Sequence, residues 1–298
     1  MEAAAPAWKQ QPERGNVFVL KLLVWLDRTL GRRLLGWVLW WVALYYAAVV
    51  RTARQASAEF FARLGRSAGF FDTVRHFRTF ARVALDRARF ATGHLEGLVI
   101  TREGHEYIAD ARGALVVGAH LGSFEALQTL SHQHGLRLNV VVDLRNARQF
   151  SAVMAQLAPQ ARVRFVSVDE SDPTSVLQLT QAIADGELVA ILADRLTSAN
   201  ERSVAVPFLG APARFPIGPF VMAHALGCPV LFACALYREP NHYHLVCEPF
   251  SERVVLPRAT RTEALEAVCA RYAATLERHT RNAPDNWFNF FPFWEPRP

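Results

Sequence analysis

Lysine is almost missing from this 298-residue chain: Lys9 and Lys21 are its only two, so its formal charge of +6 is carried by arginine. A surface of that kind attracts anions, whether phospholipid headgroups, an acidic protein or nucleic acid. No nucleic-acid-binding motif accompanies the charge, so nucleic acid is not expected as a partner. Cysteine is scarce as well. Cys228, Cys234, Cys247 and Cys269 form no C-x-x-C pair and lie in apolar surroundings, which predicts reduced core thiols. The only G-x-S-x-G match, Gly65 to Gly69, follows no strand-like run and so is no nucleophile elbow, and there is no Walker A loop, no G-x-G-x-x-G and no H-E-x-x-H. Their absence removes the usual serine hydrolase, nucleotide-binding, dinucleotide-binding and zinc-protease readings. Residues 1–16 are polar and carry Pro6, Pro12, Glu13 and Arg14. A signal peptide is not expected from such a start.

What is present begins with one long apolar run. "LLGWVLWWVALYYAAVV", Leu34 to Val50, contains no charge. Its 17 residues lie at the lower limit for crossing a bilayer at ~1.5 Å per residue. Trp37, Trp40, Trp41, Tyr45 and Tyr46 are residue types that favour the membrane interface, and arginines flank both sides. The expectation is an N-terminal membrane-associated segment over residues 1–55, either spanning or lying in an anionic leaflet. Residues 51–93 place Phe, Val and Leu at three- and four-residue steps among arginines, the pattern of amphipathic helices.

From residue 97 the pattern changes. Short apolar runs at 98–100, 114–119, 138–143, 163–168, 188–194, 229–237 and 243–250 read as strands. Helical stretches at 102–112, 123–134, 146–158, 173–185 and 217–227 separate most of them, and residues 259–281 close with a helix. Alternating apolar strands and helices predict an α/β domain over residues 56–298, with a mostly parallel central sheet flanked by helices.

Within that domain "LVVGAHLGSFEAL", Leu115 to Leu127, reads as strand, histidine, tight turn, helix start, with Ser123 as N-cap and Glu125 in the first helical turn. In an open α/β sheet ligands gather at the carboxyl ends of strands. His120 ends one strand, Asp194 and Arg195 end another, and Arg145 follows a third. His120 with Glu125 offers a general base and a carboxylate to orient it, suited to removing a proton from an alcohol or amine attacking an acyl carbonyl. The pairs His132/His134 and His242/His244 have no third partner with convincing ligand spacing, and no metal or cofactor is expected.

The His120-x4-Glu125 block resembles the H-x4-D/E motif of the lysophospholipid acyltransferase superfamily, and above all its bacterial lipid A late acyltransferase branch. The likeness extends along nearly the whole chain. "WKQQPERG" (Trp8 to Gly15) resembles that family's N-terminal segment, and the run after Leu34 resembles its membrane anchor. "GELVAILADR" resembles its strand ending in Asp, here Asp194. "VPFLGAPARFPIGPFVMAHALGCPVLF" resembles its F-x-G-x-x-A…P-x-G-P block, and "NAPDNWFNFFPFWE" its terminal Pro…Trp motif. Gly122-Ser123-Phe124-Glu125 and Asp194-Arg195 stand where lipid A enzymes typically have G-N-W-E and Asp-Gln, and are more similar to relatives associated with aryl-polyene lipids.

The resemblance implies an O- or N-acyltransferase at the inner membrane, with its catalytic domain on the cytoplasmic side. A fatty acyl group would move from an acyl carrier protein or coenzyme A thioester to a hydroxyl or amine of a lipid or glycolipid. His120 would be the base and Glu125 its orienting acid. Backbone N–H groups of Gly122 and Ser123 would be candidates for an oxyanion hole. Arg195 would bind acceptor phosphate or the donor's phosphopantetheine, with Asp194 orienting it or capping the site and Arg145 and Arg148 contacting the headgroup. Phe215 and Gly218 would shape an acyl or acceptor groove. A non-catalytic membrane lipid-binding scaffold and an acyl-thioester hydrolase are the alternatives.

Overall fold

The computed structural model describes residues 17–67, 69–133, 135–142, 163–167, 173–197 and 200–294. Within these, each apolar run after residue 97 forms a strand. The strands are β1 (Val99–Glu103), β2 (Ala114–Gly118), β3 (Leu138–Val142), β4 (Val163–Ser167), β5 (Leu188–Leu192), β8 (Val230–Arg238) and β9 (His242–Ser251). They build one seven-stranded sheet in the order β1-β9-β8-β2-β5-β3-β4. Every neighbouring pair is parallel except β8 with β9, which form an antiparallel hairpin.

A strand buried on both faces reads as continuously apolar, because both sets of alternating side chains need cover. β2 shows this: all five of its residues are buried. Leu115 and Val117 join the layer containing Leu179 of α6 (Pro173–Ala184), Phe220 of α7 (Gly218–Leu226) and Tyr272 of α8 (Arg261–Asn282). Ala114 and Val116 join the opposite layer, with Val83 of α3 (Phe70–Thr92), Ile108 of α4 (His105–Asp110) and Ala126 of α5 (Phe124–Gln133). The result is a three-layer α/β/α arrangement, as the alternation predicts. The helix expected at 102–112 shrinks to α4 because Thr101 to Glu103 continue β1 alongside β9. The helix expected at 146–158 lies outside the described residues.

One hairpin was not expected. β6 (Ser203–Phe208) and β7 (Ala211–Pro216) pair antiparallel as a separate ribbon. Pro207, Pro212 and Pro216 cannot donate to a ladder, so the run does not read as strand. Its two-residue turn has Leu209 at φ 50° and Gly210 at φ 77°, both in the left-handed region that the tightest hairpins require. The Leu209 N–H donates to the Glu277 carboxylate at 2.6 Å, which helps hold a residue type that seldom adopts this conformation.

The N-terminal helices lie on the α3 side. α1 (Val17–Val49) breaks at Gly31, whose φ of 73° and ψ of 162° are not helical. Beyond the break, Leu35, Leu39, Ala43 and Ala47 recur at four-residue steps and are buried. They pack with Val74, Phe77 and Leu85 of α3. The opposite stripe of Trp37, Trp41, Val42, Tyr45 and Val49 is exposed, with Trp37 at 66%. No single helix among the described residues is long and apolar enough to cross a membrane. The stretch Leu34–Val49 and α2 (Arg51–Arg63) meet that test only as a pair bent by 96°.

One ion pair locks α1 to this body. Arg32 grips the buried Asp86 of α3 with two hydrogen bonds of 2.6 and 3.0 Å, and Tyr243 of β9 donates to the same carboxylate at 2.8 Å. Breaking a buried pair on one side strands the other charge. Asp86→Ala is therefore expected to destabilise the protein by about 3–5 kcal/mol, read as a lower denaturant midpoint at unchanged slope.

Candidate active site

The strand register builds the site. β2 and β5 run parallel with Gly118 opposite Leu192. The residues two places further on are His120 and Asp194, so two neighbouring strands deliver an imidazole and a carboxylate side by side at their carboxyl ends. His120 Nδ1 lies 2.8 Å from Asp194 Oδ1, and the His120 backbone N–H donates to Oδ2 at 3.1 Å. A third donor reaches the same carboxylate from the chain's end: the indole Nε1–H of Trp287, at 3.3 Å from Oδ2.

Asp194 is fully buried. Burial alone would raise its pKa; the His120 ring and N–H together with Arg195 reverse this and hold it at about 2. It is a carboxylate at any physiological pH, so it accepts, and His120 Nδ1 must carry the proton. The lone pair is then on Nε2, the nitrogen a general base uses. The His120 side chain keeps 30% of its surface exposed. Its own pKa is lowered by partial burial and by Arg195, against the opposing pull of Asp194, and further by Arg87. At neutral pH the imidazole is uncharged and able to take a proton.

This geometry corrects the pairing expected from the sequence. Glu125 makes no hydrogen bond to His120 among the described residues. It is the second residue of α5, and its carboxylate turns toward α3, with Oε1 3.2 Å from Arg87 Nε. Its other oxygen accepts from Ser123 Oγ at 3.3 Å. Asp194, expected to orient Arg195, is instead the partner of the histidine.

Gly122 and Ser123 are corrected too. Their N–H groups are not free to hold an oxyanion. Gly122 N donates to the Asn286 carbonyl at 2.8 Å and Ser123 N to the Ala235 carbonyl at 2.9 Å. Ser123 is an N-cap as expected: its Oγ accepts the Ala126 N–H at 3.2 Å, and its side chain is buried. Gly122 is required by conformation and by space. Its φ is +73°, and a Cβ there would lie 1.8 Å from the Ala235 carbonyl oxygen.

Arg195 stands beside this group without a carboxylate ion pair among the described residues. Its guanidinium donates to the Phe288 carbonyl and lies 5.2 Å from the Phe291 ring centre. Its Nε is buried and has no hydrogen-bond partner among the described residues. Burial brings its pKa down to about 10, so it remains a cation at neutral pH. Phe215 does not line a groove: it is fully buried against Phe208, Tyr272 and Phe293. Gly218 opens α7 and is exposed. Arg145 and Arg148 lie outside the described residues, as does His134.

The four cysteines are free and buried. Burial pushes the Cys247 and Cys269 thiols up to about 12, which leaves them protonated and poor nucleophiles. His242 and His244 share a strand face as expected, and both meet Thr101 Oγ1. Among the described residues no three His, Cys, Asp or Glu side chains converge as metal ligands.

The residues that the sequence reading missed as site components come from its terminal block. Asn286 pairs with the Tyr237 backbone through both side-chain atoms, at 2.6 and 3.0 Å. Phe288 N donates to the His120 carbonyl at 2.9 Å. The segment after Pro284 is thus wedged between the ends of β2 and β8 and clamps the histidine's backbone. Nothing in the sequence sets Arg87 apart from the other arginines of α3.

Residues 77–295 match the model of the bacterial lipid A biosynthesis acyltransferase family. The chain belongs to that family. His120, Asp194 and Trp287 all fall inside the matched region. No curated protein sequence matched the chain. Among solved structures, it is similar to the 1-acyl-sn-glycerophosphate (LPA) acyltransferase PlsC from Thermotoga maritima, with 14% identity, 84% of this chain and 97% of that chain covered, and a TM-score of 0.40.

The tightness at Gly122 yields a direct expectation. Gly122→Ala must move either the β8 carbonyl or the loop that follows His120. We expect it to destabilise the fold by about 3 kcal/mol or more, measured by chemical unfolding.

Proposed function

We propose that this lipid A acyltransferase family member moves a fatty acyl group from a thioester donor to a hydroxyl or amine of a lipid or glycolipid, with His120 as general base. The observation that carries the reading is the His120–Asp194 pair at the ends of adjacent parallel strands. A buried, permanently ionised carboxylate fixes the Nδ1–H tautomer and leaves Nε2 as a base on a partly open side chain.

Nε2 removes the proton from the acceptor hydroxyl as its oxygen attacks the thioester carbonyl carbon, giving a tetrahedral oxyanion and an imidazolium. Asp194 stabilises the imidazolium through Nδ1–H. Collapse breaks the C–S bond, and the imidazolium returns its proton to the leaving thiolate. With the Gly122 and Ser123 N–H groups engaged elsewhere, Arg195 is the candidate to stabilise the oxyanion or to hold a phosphate of either substrate. Glu125 acts through Arg87: by pairing with that cation it limits the depression of the His120 pKa.

Acyl carrier protein is acidic, and the arginine-rich surface suits it as donor; coenzyme A is the other candidate. The exposed aromatic and aliphatic stripe of α1, bordered by arginines, supports placement on an anionic membrane surface. A helix seated on α3 by one face and apolar on the other fits lying in a leaflet better than crossing it.

Two measurements test this. Wild-type protein incubated with labelled acyl carrier protein thioester and a lipid extract from its host should pass label to a lipid. Release of label only as free acid would identify a thioester hydrolase instead, and loss of label from neither donor would sink the acyltransferase reading once coenzyme A thioester has also been tried. Asp194→Asn should lower kcat by roughly a thousandfold or more, because the amide can no longer demand the Nδ1–H tautomer. Secondly, activity should rise with pH through an acid limb below 6.5, the ordinary histidine value. Glu125→Gln leaves Arg87 uncompensated near the ring, so it should move that limb to still lower pH and reduce kcat less than Asp194→Asn.

A further inference from the structure

On the α1 side of the molecule a cavity of about 640 Å³ opens between α1, α3 and the turn that joins β8 to β9. Three arginines line it: Arg32, Arg78 and Arg82. Two have counter-ions. Arg32 is held by Asp86, and Arg78 lies 3.2 Å from Glu239. Arg82 has none among the described residues. It is 7% exposed, its Nη2 donates to the Arg32 backbone carbonyl at 3.2 Å, and its Nη1 is buried without a hydrogen-bond partner.

A buried guanidinium with an open donor is costly unless something satisfies it. The surroundings keep it in place. Gly36 of α1 leaves room for the guanidinium: a Cβ there would lie 2.8 Å from Arg82 Nη2. The lip of the cavity is equally specific. Trp37 and Trp40 line it, and Trp37 belongs to the exposed apolar stripe of α1. A group bound here would have its anionic part on Arg82 and an apolar part along that stripe.

We propose that this cavity binds the phosphate headgroup of a membrane lipid, with Arg82 as the principal anion contact and Arg78 as a second. Charge complementarity chooses the phosphate: the three lining arginines meet two carboxylates, Glu239 on the lining and Asp86 behind it, which leaves one cation over. The adjoining aromatic stripe chooses a lipid over a free anion. The site is separate from His120 and does not rest on the acyl-transfer reading. Tyr237, on the cavity wall, is also the residue whose backbone Asn286 grips.

The test uses the full-length protein in a neutral detergent and water-soluble probes, so the result does not depend on whether α1 meets a bilayer. Dihexanoyl phosphatidic acid, dihexanoylglycerol and inorganic phosphate are titrated by calorimetry. Wild type should bind the phosphatidic acid saturably at one site, and at least about tenfold more tightly than either other probe. Hydrogen exchange on the wild type should show protection at residues 36–40 and 238–241. Arg82→Gln should weaken binding about tenfold or more, and Gly36→Val, which fills the space beside the guanidinium, should do the same. Arg82→Gln without ligand should melt at or above the wild-type temperature, because it removes an uncompensated buried charge.

Equal affinity for inorganic phosphate would overturn the lipid assignment. Absence of saturable binding, protection elsewhere, or unchanged affinity in both variants would overturn the site. Should a variant fail to fold, the wild-type titrations and exchange pattern decide the matter alone.

Discussion

The whole site depends on keeping one carboxylate charged where water cannot reach it. A buried ion survives only if donors replace its hydration. Asp194 has three: the His120 ring, the His120 N–H and the Trp287 indole. Each is supplied by a different level of the fold. The β2/β5 register brings the ring, the turn after β2 brings the N–H, and the C-terminal segment brings the indole across 93 residues. Trp287 is itself positioned by packing against Phe60, Phe208, Phe293 and Trp294. Helix α2 and the hairpin β6–β7 therefore contribute to the geometry of the histidine through Trp287.

How much of this could be read in the sequence follows from what kinds of contact are local. Strands buried on both faces announce themselves as apolar runs, so the seven strands and the α/β class were legible. The strand-end rule also drew attention to His120, Asp194 and Arg195. The pairing among them was not legible, because the register that sets Gly118 against Leu192 is a tertiary fact. Spacing favoured Glu125, five residues away, over Asp194, 74 away. In the folded chain the nearer carboxylate is claimed by Arg87, and the distant one by the histidine. The β6–β7 hairpin escaped for the opposite reason: its three prolines contradict strand propensity, and only tertiary packing makes the ribbon acceptable.

The N-terminal helices show a similar limit. An uncharged run of 17 residues says that α1 avoids water, but not which partner takes its place. The structure divides the run by face. Leu35, Leu39, Ala43 and Ala47 turn to α3, and the aromatic side turns outward. The arginines sort in the same way. In the sequence Arg32, Arg78, Arg82 and Arg87 are equivalent members of a basic surplus. In the fold Arg32 faces Asp86, Arg78 faces Glu239, Arg87 faces Glu125, and Arg82 alone among these four is left without a carboxylate.

The same sorting separates two histidines, His76 and His120. His76 of α3 is buried completely; it lies 3.0 Å from Ser57 Oγ through Nδ1 and 3.0 Å from the Trp287 carbonyl through Nε2. A carbonyl can only accept, so His76 Nε2 carries the proton and Nδ1 accepts from the serine. Burial brings its pKa to about 4, and it stays neutral. His120 is neutral too, but with the other tautomer, because its Nδ1 faces a carboxylate. His76 has both nitrogens committed, one to each side of the joint between α2, α3 and the C-terminal segment. His120 has one committed, and its side chain is partly open. An uncharged imidazole is a necessary property of a base, and both residues have it; what separates them is that only His120 has a nitrogen with no partner among the described residues. That one available lone pair, beside a carboxylate ionised at physiological pH, is what the surrounding packing preserves.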